Sequence, residues 1–153
     1  QIECNIVDFV HHKERIFPIG RLDKDSEGLI LLTNDGDIVN RILWSDNNHE
    51  KEYIVTIDKT VTKGFLSRMS KWIKILDVVT KPCVTWQLKD KSFGIILTQG
   101  LNRQIRRMCS HLGFQVKKLK RVRIMNIELN NMKTGEWRNL DGKELAILLK
   151  TIT

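Results

Sequence analysis

Asp23, in the segment GRLDKDSEGLILLTNDG, and Arg106, in the run NRQIRRM, are residue types that together could support nucleophilic chemistry. A carboxylate attacks an electron-poor carbon only in its ionised form, and a neighbouring guanidinium favours that form by direct attraction and charge-assisted hydrogen bonds. A lysine would pair less rigidly. Apolar residues crowd positions 16–22 and 29–32, so Asp23 is expected at the end of a half-buried strand, short of water and in need of a cation. Arg21, two residues earlier, falls on the same side if that strand persists to Asp23, where it could hold a phosphate. Tyr53, in KEYIV, is the only tyrosine and brings a flat ring and a hydroxyl.

These side chains need a scaffold. Positions 51–58 alternate, with Tyr53, Val55 and Ile57 on one side and Ile54 and Thr56 on the other, which predicts a strand and fixes Tyr53 on a sheet. Positions 29–33 predict a short strand ended by the turn Asn34-Asp35-Gly36, after which Asp37 is expected to cap a helix running to about Trp44. Val61, Phe65, Leu66, Met69 and Trp72 recur at helical spacing and predict a second amphipathic helix. Further strands are expected at 78–86, 93–98, 115–120 and 123–129, with a closing helix at 141–150 carrying Leu145, Leu148 and Leu149. A helix over about 102–111 has the core face Ile105, Met108, Cys109 and Leu112, with Gly113 as its stop. That spacing turns Arg103, Arg106 and Arg107 away from the core. Arginines in a first helical turn oppose the macrodipole, so an anion nearby, either Asp23 or a phosphate, would offset their cost. Strand-rich sequence with scattered helices reads as α+β.

The chain of 153 residues suits one domain with one core. Lysine and arginine outnumber aspartate and glutamate by 26 to 18, a formal charge of +8 that favours an anionic partner, nucleic acid or an anionic membrane. Lys117, Lys118, Lys120, Arg121 and Arg123 concentrate that charge in one short run, expected to be a solvated patch that neutralises phosphates without reading bases. No apolar run approaches the roughly 20 residues of a membrane span, and no leader pattern opens the sequence, so a soluble cytoplasmic protein is expected. Cys4, Cys83 and Cys109 form no C-x-x-C pair and fit a reducing compartment as filler. Positions 23–28 imitate the start of an EF-hand loop, but Asn34 stands where a bidentate glutamate is required. His11, His12, His49 and His111 have no ligand spacing, so no metal site is expected. The tryptophans Trp44, Trp72, Trp86 and Trp137 sit mostly in apolar patterns and are expected in the core.

The GRLD segment, the K-x-Y strand and the Q-I-R triplet closely resemble the motifs of ribosomal RNA pseudouridine synthases of the RsuA-like branch, over about residues 17–140. The run KRVRIMNIELNNMKTGEWRNL is most similar to the large-subunit synthase F group. The resemblance implies a mixed, mostly antiparallel sheet flanked by helices with a cleft across it, and a cofactor-free isomerisation of uridine in ribosomal RNA, more specifically 23S. It implies Asp23 as the catalytic residue, Tyr53 against the target base and Arg106 paired with Asp23. A stacked base must be flipped out to be reached, and an aromatic face is the usual platform for it. Arg21, Asn102, Arg103, Gln104 and Arg107 are expected to line the RNA approach, with Asn102 alternatively capping its helix. Members of the branch carry an N-terminal RNA-binding S4-like domain and a first motif that this sequence lacks, so residues 1–153 are expected to be a catalytic portion. A monomer is expected. The rival reading is a non-catalytic basic RNA-binding module or ribosome-assembly factor in which Asp23 only anchors Arg106.

Overall fold

A computed structural model describes residues 6–10, 12–44 and 48–152; Cys4 and His11 lie outside them, as does the side chain of Trp44. In chain order the first half comprises α1 (Ile6–Val10), β1 (Phe17–Ile19), β2 (Glu27–Gly28), β3 (Leu31–Thr33), α2 (Gly36–Trp44), β4 (Lys51–Ile57) and α3 (Lys63–Met69). The second half comprises β5 (Lys74–Ile75), β6 (Val78–Val79), β7 (Val84–Lys89), β8 (Ser92–Leu97), α4 (Gln104–His111), β9 (Val116–Ile124), β10 (Ile127–Glu128) and α5 (Gly142–Ile152).

The strand β4 is held on both flanks. It pairs antiparallel with β8 and β9 in a six-stranded sheet of order β10-β9-β4-β8-β7, to which β2 adds as a parallel partner of β9. Alternation then sorts its side chains. Val55 and Ile57 turn inward with Phe93, Ile95 and Leu119, and α3 and α4 close over them with Phe65, Met69, Ile105 and Met108. Val55, Phe93, Ile95 and Met108 are fully buried, each stabilising the fold by about 1.5–3 kcal/mol. A second apolar cluster joins Ile19, Leu29, Leu31 and Ile42 to Ile124, Ile127, Leu148 and Ile152. Tyr53 packs against the first cluster, and the strand that carries it is fixed by ladders on either side.

The architecture is α+β, a mixed and mostly antiparallel sheet flanked by helices, as expected. Several boundaries differ for identifiable reasons. The strand expected at 78–86 is two pieces, β6 and β7, because Pro82 between them has no N–H to donate to a ladder. Those expected at 115–120 and 123–129 instead form the single strand β9 and a tight return into β10, with Met125 at φ 55 making the turn. Helix α2 is capped by Asp35 rather than Asp37: Asp35 Oδ1 accepts from the Asp37 N–H at 3.0 Å. Helix α3 is shorter than its apolar pattern, starting after the Thr62 cap and ending at Met69, so Val61 is buried beside it and Trp72 beyond it is 70% exposed. Trp137 is also exposed, and Trp86 is half-buried with its ring over Gly94, so the core expectation fails for Trp72 and Trp137. Among the described residues, no helix is long and apolar enough to cross a membrane.

Candidate active site

A cleft of about 590 Å³ opens where β1 ends, bounded by residues 20–23 and 26–27, the start of α4 and the inner face of β4 and β9. It is within the size range of small-ligand sites. Asp23, Tyr53, Arg21, Asn102, Arg103 and Gln104, all read from the sequence, line it together.

The segment carrying Asp23 is a loop. Gly20, at φ 81, ends β1, and the Asp23 carbonyl accepts from the Ser26 N–H at 2.9 Å, so residues 23–26 form a turn that presents the carboxylate. The strand does not persist to Asp23, and the expected same-side placement of Arg21 lapses with it. The Asp23 side chain is 38% exposed, more hydrated than the apolar flanks suggested.

Two arginines meet this turn, but not as expected. Arg103 sits at the N-terminal boundary of α4 with φ 50, a left-handed conformation that swings its side chain out over the turn. Its guanidinium grips Asp25 with both nitrogens, at 3.0 and 2.9 Å, and Nη1 reaches Asp23 Oδ2 at 3.6 Å. Arg106 lies deeper, its side chain 15% exposed. Its Nη2 donates to the Asp25 carbonyl at 2.8 Å and to Ser26 Oγ at 3.2 Å, and Nη1 is 3.5 Å from Asp25 Oδ2. The expected Arg106–Asp23 pair is therefore replaced by Arg103–Asp23. One turn further along α4, Arg106 meets the second half of the turn, Asp25 and Ser26, and not Asp23. Asp25, read from the sequence only as part of the EF-hand look-alike, is the anchor of the cluster; its spacing of two from Asp23 and its place in an Asp-rich turn were the signals available.

The hydrogen bonds from Arg103, helped by the nearby Arg106 charge, hold the Asp25 carboxyl at about 2, below its usual 3.8. A carboxyl with a depressed folded-state pKa stabilises the fold above its unfolded value, and that contribution disappears as pH falls through the folded value. Acid melts between pH 4 and 2 should therefore lose less stability in Asp25→Asn than in the unaltered chain. Equal acid slopes would show that Asp25 is not held as described.

The remaining sequence candidates divide. Gln104 is buried and structural: its Oε1 accepts from the Leu101 N–H at 3.2 Å, and its Nε2 donates to Gln99 Oε1 at 3.3 Å, closing the loop before α4. Asn102 does not cap the helix; its backbone and side-chain oxygens each accept from Arg107 at 3.0 Å, and Arg107 lies outside the cleft lining. The basic run is not one patch. Alternation along β9 places Lys118 and Lys120 on the face opposite Leu119 and Arg121, and Lys118 pairs with Glu27 at 3.2 Å. Lys117 is exposed and donates to Gln115 Oε1 at 3.3 Å. Arg123 is held by Glu50 and Glu52 at 3.1 and 3.0 Å, while Arg121 is buried, its Nε donating to the Leu29 carbonyl at 2.8 Å. Only Arg121 of this run lines the cleft. Lys51, not singled out in the sequence, lines it too. Burial pushes the Cys83 thiol up to about 11 and Cys109 up to about 12, so neither is poised as a nucleophile. Among the described residues, no group of His, Cys, Asp or Glu side chains is placed to hold a metal ion.

A family model described as RNA pseudouridylate synthase matches residues 1–111. The chain is 58% identical over 148 residues to the "Dual-specificity RNA pseudouridine synthase RluF" of Escherichia coli strain K12, covering 97% of this chain and 51% of that protein. It is 35% identical over 150 residues to the "Ribosomal large subunit pseudouridine synthase B" of Bacillus subtilis, covering 94% and 62%. The chain thus spans about half the length of the dual-specificity relatives it matches. A solved structure titled "Crystal structure of pseudouridylate synthase" superposes with a TM-score of 0.82 at 32% identity, over 87% of this chain and 59% of that one. The expected motifs, the expected sheet and a cleft that gathers Asp23 and Tyr53 agree with that match, and the chain belongs to the RNA pseudouridylate synthase family.

Proposed function

We propose that this chain isomerises uridine to pseudouridine in ribosomal RNA, with Asp23 as nucleophile, Tyr53 against the flipped base and Arg103 as the cation beside Asp23. The observation that carries the reading is the availability of Asp23. Two carboxylates share the arginine cluster, and Asp25 accepts both arms of the Arg103 fork while, among the described residues, the Asp23 carboxylate has a single 3.6 Å ion pair. A carboxylate held by a bidentate guanidinium has both oxygens engaged and its charge partly neutralised, which weakens it as a nucleophile; one with a single long contact is freer to attack.

The net reaction exchanges one bond at the sugar. The bond from base N1 to sugar C1′ breaks with its electron pair remaining on the ring, and the Asp23 carboxylate takes up the electron-poor C1′. After the ring turns, C5 bonds to C1′, the carboxylate leaves with its pair, the C5 proton is lost and N1 gains a proton. Tyr53, immobile on the central strand, gives the ring a surface to turn against. Arg21 and Arg103, with the neutral Asn102 beside them, line the cleft where the flanking backbone would pass, and cations there hold phosphates without reading sequence. The name of the Bacillus subtilis relative favours large-subunit RNA as substrate, and with it action in the cytoplasm; a compact single unit favours a monomer.

Incubation with unmodified large-subunit and small-subunit ribosomal RNA transcripts, followed by quantitation of pseudouridine, tests the reading. Product in the large-subunit transcript is expected. RNA binding with no product in either transcript would favour a non-catalytic RNA-binding module.

A further inference from the structure

The floor of the cleft holds two cations that the chemistry above does not use. Arg121 is 6% exposed, yet its Nη2 is buried with no hydrogen-bond partner among the described residues. The other guanidinium nitrogens lock it in place, Nε on the Leu29 carbonyl at 2.8 Å and Nη1 on the Arg21 carbonyl at 3.4 Å. Lys51 lies beside it, half-buried, with Nζ against Gly100, where an added Cβ would be 3.7 Å away. Burial and the neighbouring Arg121 charge both disfavour the Lys51 ammonium. The flanking acids offer no relief, since Glu50 and Glu52 are committed to Arg123. Two like charges, partly desolvated and, among the described residues, neither held in an ion pair, are costly for the fold and point to an absent acceptor.

Their placement indicates which acceptor. Lys51 and Tyr53 are two residues apart on one strand, so they share a face about 6.6 Å apart, and Arg121 is the cross-strand partner of Tyr53 on β9. A flat ring lying against Tyr53 would present its edge to both cations. A phosphodiester is bulky and solvated on both sides and suits the mouth, where Arg21, Asn102 and Arg103 lie. We propose that Lys51 and Arg121 form a base-edge site that holds a carbonyl oxygen of the flipped uracil and stabilises the electron pair the ring retains when N1 parts from C1′. The proposal rests on the isomerase reading and adds to it the groups that select and activate the base.

The test uses Lys51→Met, which keeps the length of the side chain and removes its charge. Single-turnover product formation at saturating large-subunit transcript should fall at least tenfold, RNA affinity should stay within twofold, and Lys51→Arg should recover part of the rate. The melting temperature of Lys51→Met should not fall, because a poorly paired charge has been removed. In the unaltered chain carrying 13C-labelled lysine, the Lys51 Cε resonance should shift with uridine, which has the base and no phosphate, and not with ribose 5-phosphate. A shift with ribose 5-phosphate alone, with weakened RNA affinity and an unchanged rate, would make Lys51 a phosphate contact and overturn the proposal. An unaltered chain that forms product and a Lys51→Met variant equally active would overturn it while leaving the isomerase reading intact. No product from the unaltered chain would remove both.

Discussion

Replacing Asp23 with asparagine should abolish pseudouridine formation, lowering the single-turnover rate by about six orders of magnitude, the scale seen when a hydrolase loses its nucleophile. The same variant should fold and melt like the unaltered chain. The Asp23 carboxylate it replaces is 38% exposed and, among the described residues, makes one ion pair of 3.6 Å, and exposed ion pairs of that kind contribute little to stability. RNA affinity should hold or rise, since a negative charge has left a positively charged cleft. Rate and stability are thus uncoupled at Asp23, which separates a chemical role from a structural one. A variant that lost stability and kept its rate would instead describe an aspartate that anchors arginines.

Gly28→Ala should have the largest effect on the fold. Gly28 has φ 124, a conformation L side chains rarely adopt, and an added Cβ would overlap the Arg121 backbone. That overlap cannot be relieved by a side-chain rotation, because β2 is stitched to β9 at this point. The Leu29 N–H donates to the Arg121 carbonyl at 2.8 Å, and the Arg121 side chain returns a bond to the Leu29 carbonyl. Strain and overlap together should cost about 3 kcal/mol or more, which lowers the melting temperature by roughly 10 °C in a domain of this size. Product formation should fall as well, because the parting of β2 from β9 moves both Arg121 and the turn bearing Asp23. Gly36→Ala is the control: nothing lies within 4 Å of its added Cβ, and its backbone is ordinary, so it should melt within a few degrees of the unaltered chain. Equal melts for the two variants would show that β2 is not held this tightly.

The parts of the site that follow from period and local chemistry were legible in the sequence. Alternation placed Tyr53 on a strand, and Lys51–Ile57 is one; helical spacing and Gly113 bounded the arginine helix, which ends with Gly113 at φ 86. What depends on tertiary approach was not legible. Arg103 and Arg106 are both turned from the core, and which one reaches Asp23 depends on the left-handed φ at Arg103 and on how deeply α4 sits. The run of basic residues at 117–123 reads as one patch because charge has no period in a composition count. On a strand it splits between two faces, and the buried Arg121 falls on the functional one. Lys51 escaped notice because a lysine opening a strand is ordinary until Arg121 is placed across from it. Trp72 reads as the end of an apolar helix stripe, but the Ser70 cap stops the helix before it, leaving the ring exposed.

The identity of the nucleophile is tested most directly by comparing two carboxylates two residues apart. Single-turnover rates at saturating ribosomal RNA should be measured for the unaltered chain, Asp23→Asn and Asp25→Asn, each with its RNA affinity and melting curve. Asp23→Asn should give no detectable product. Asp25→Asn, which only loosens the arginines beside the reacting carboxylate, should retain activity, reduced by about a hundredfold or less. Product from Asp23→Asn together with none from a folded, RNA-binding Asp25→Asn would assign the chemistry to Asp25 and contradict Asp23 as the nucleophile.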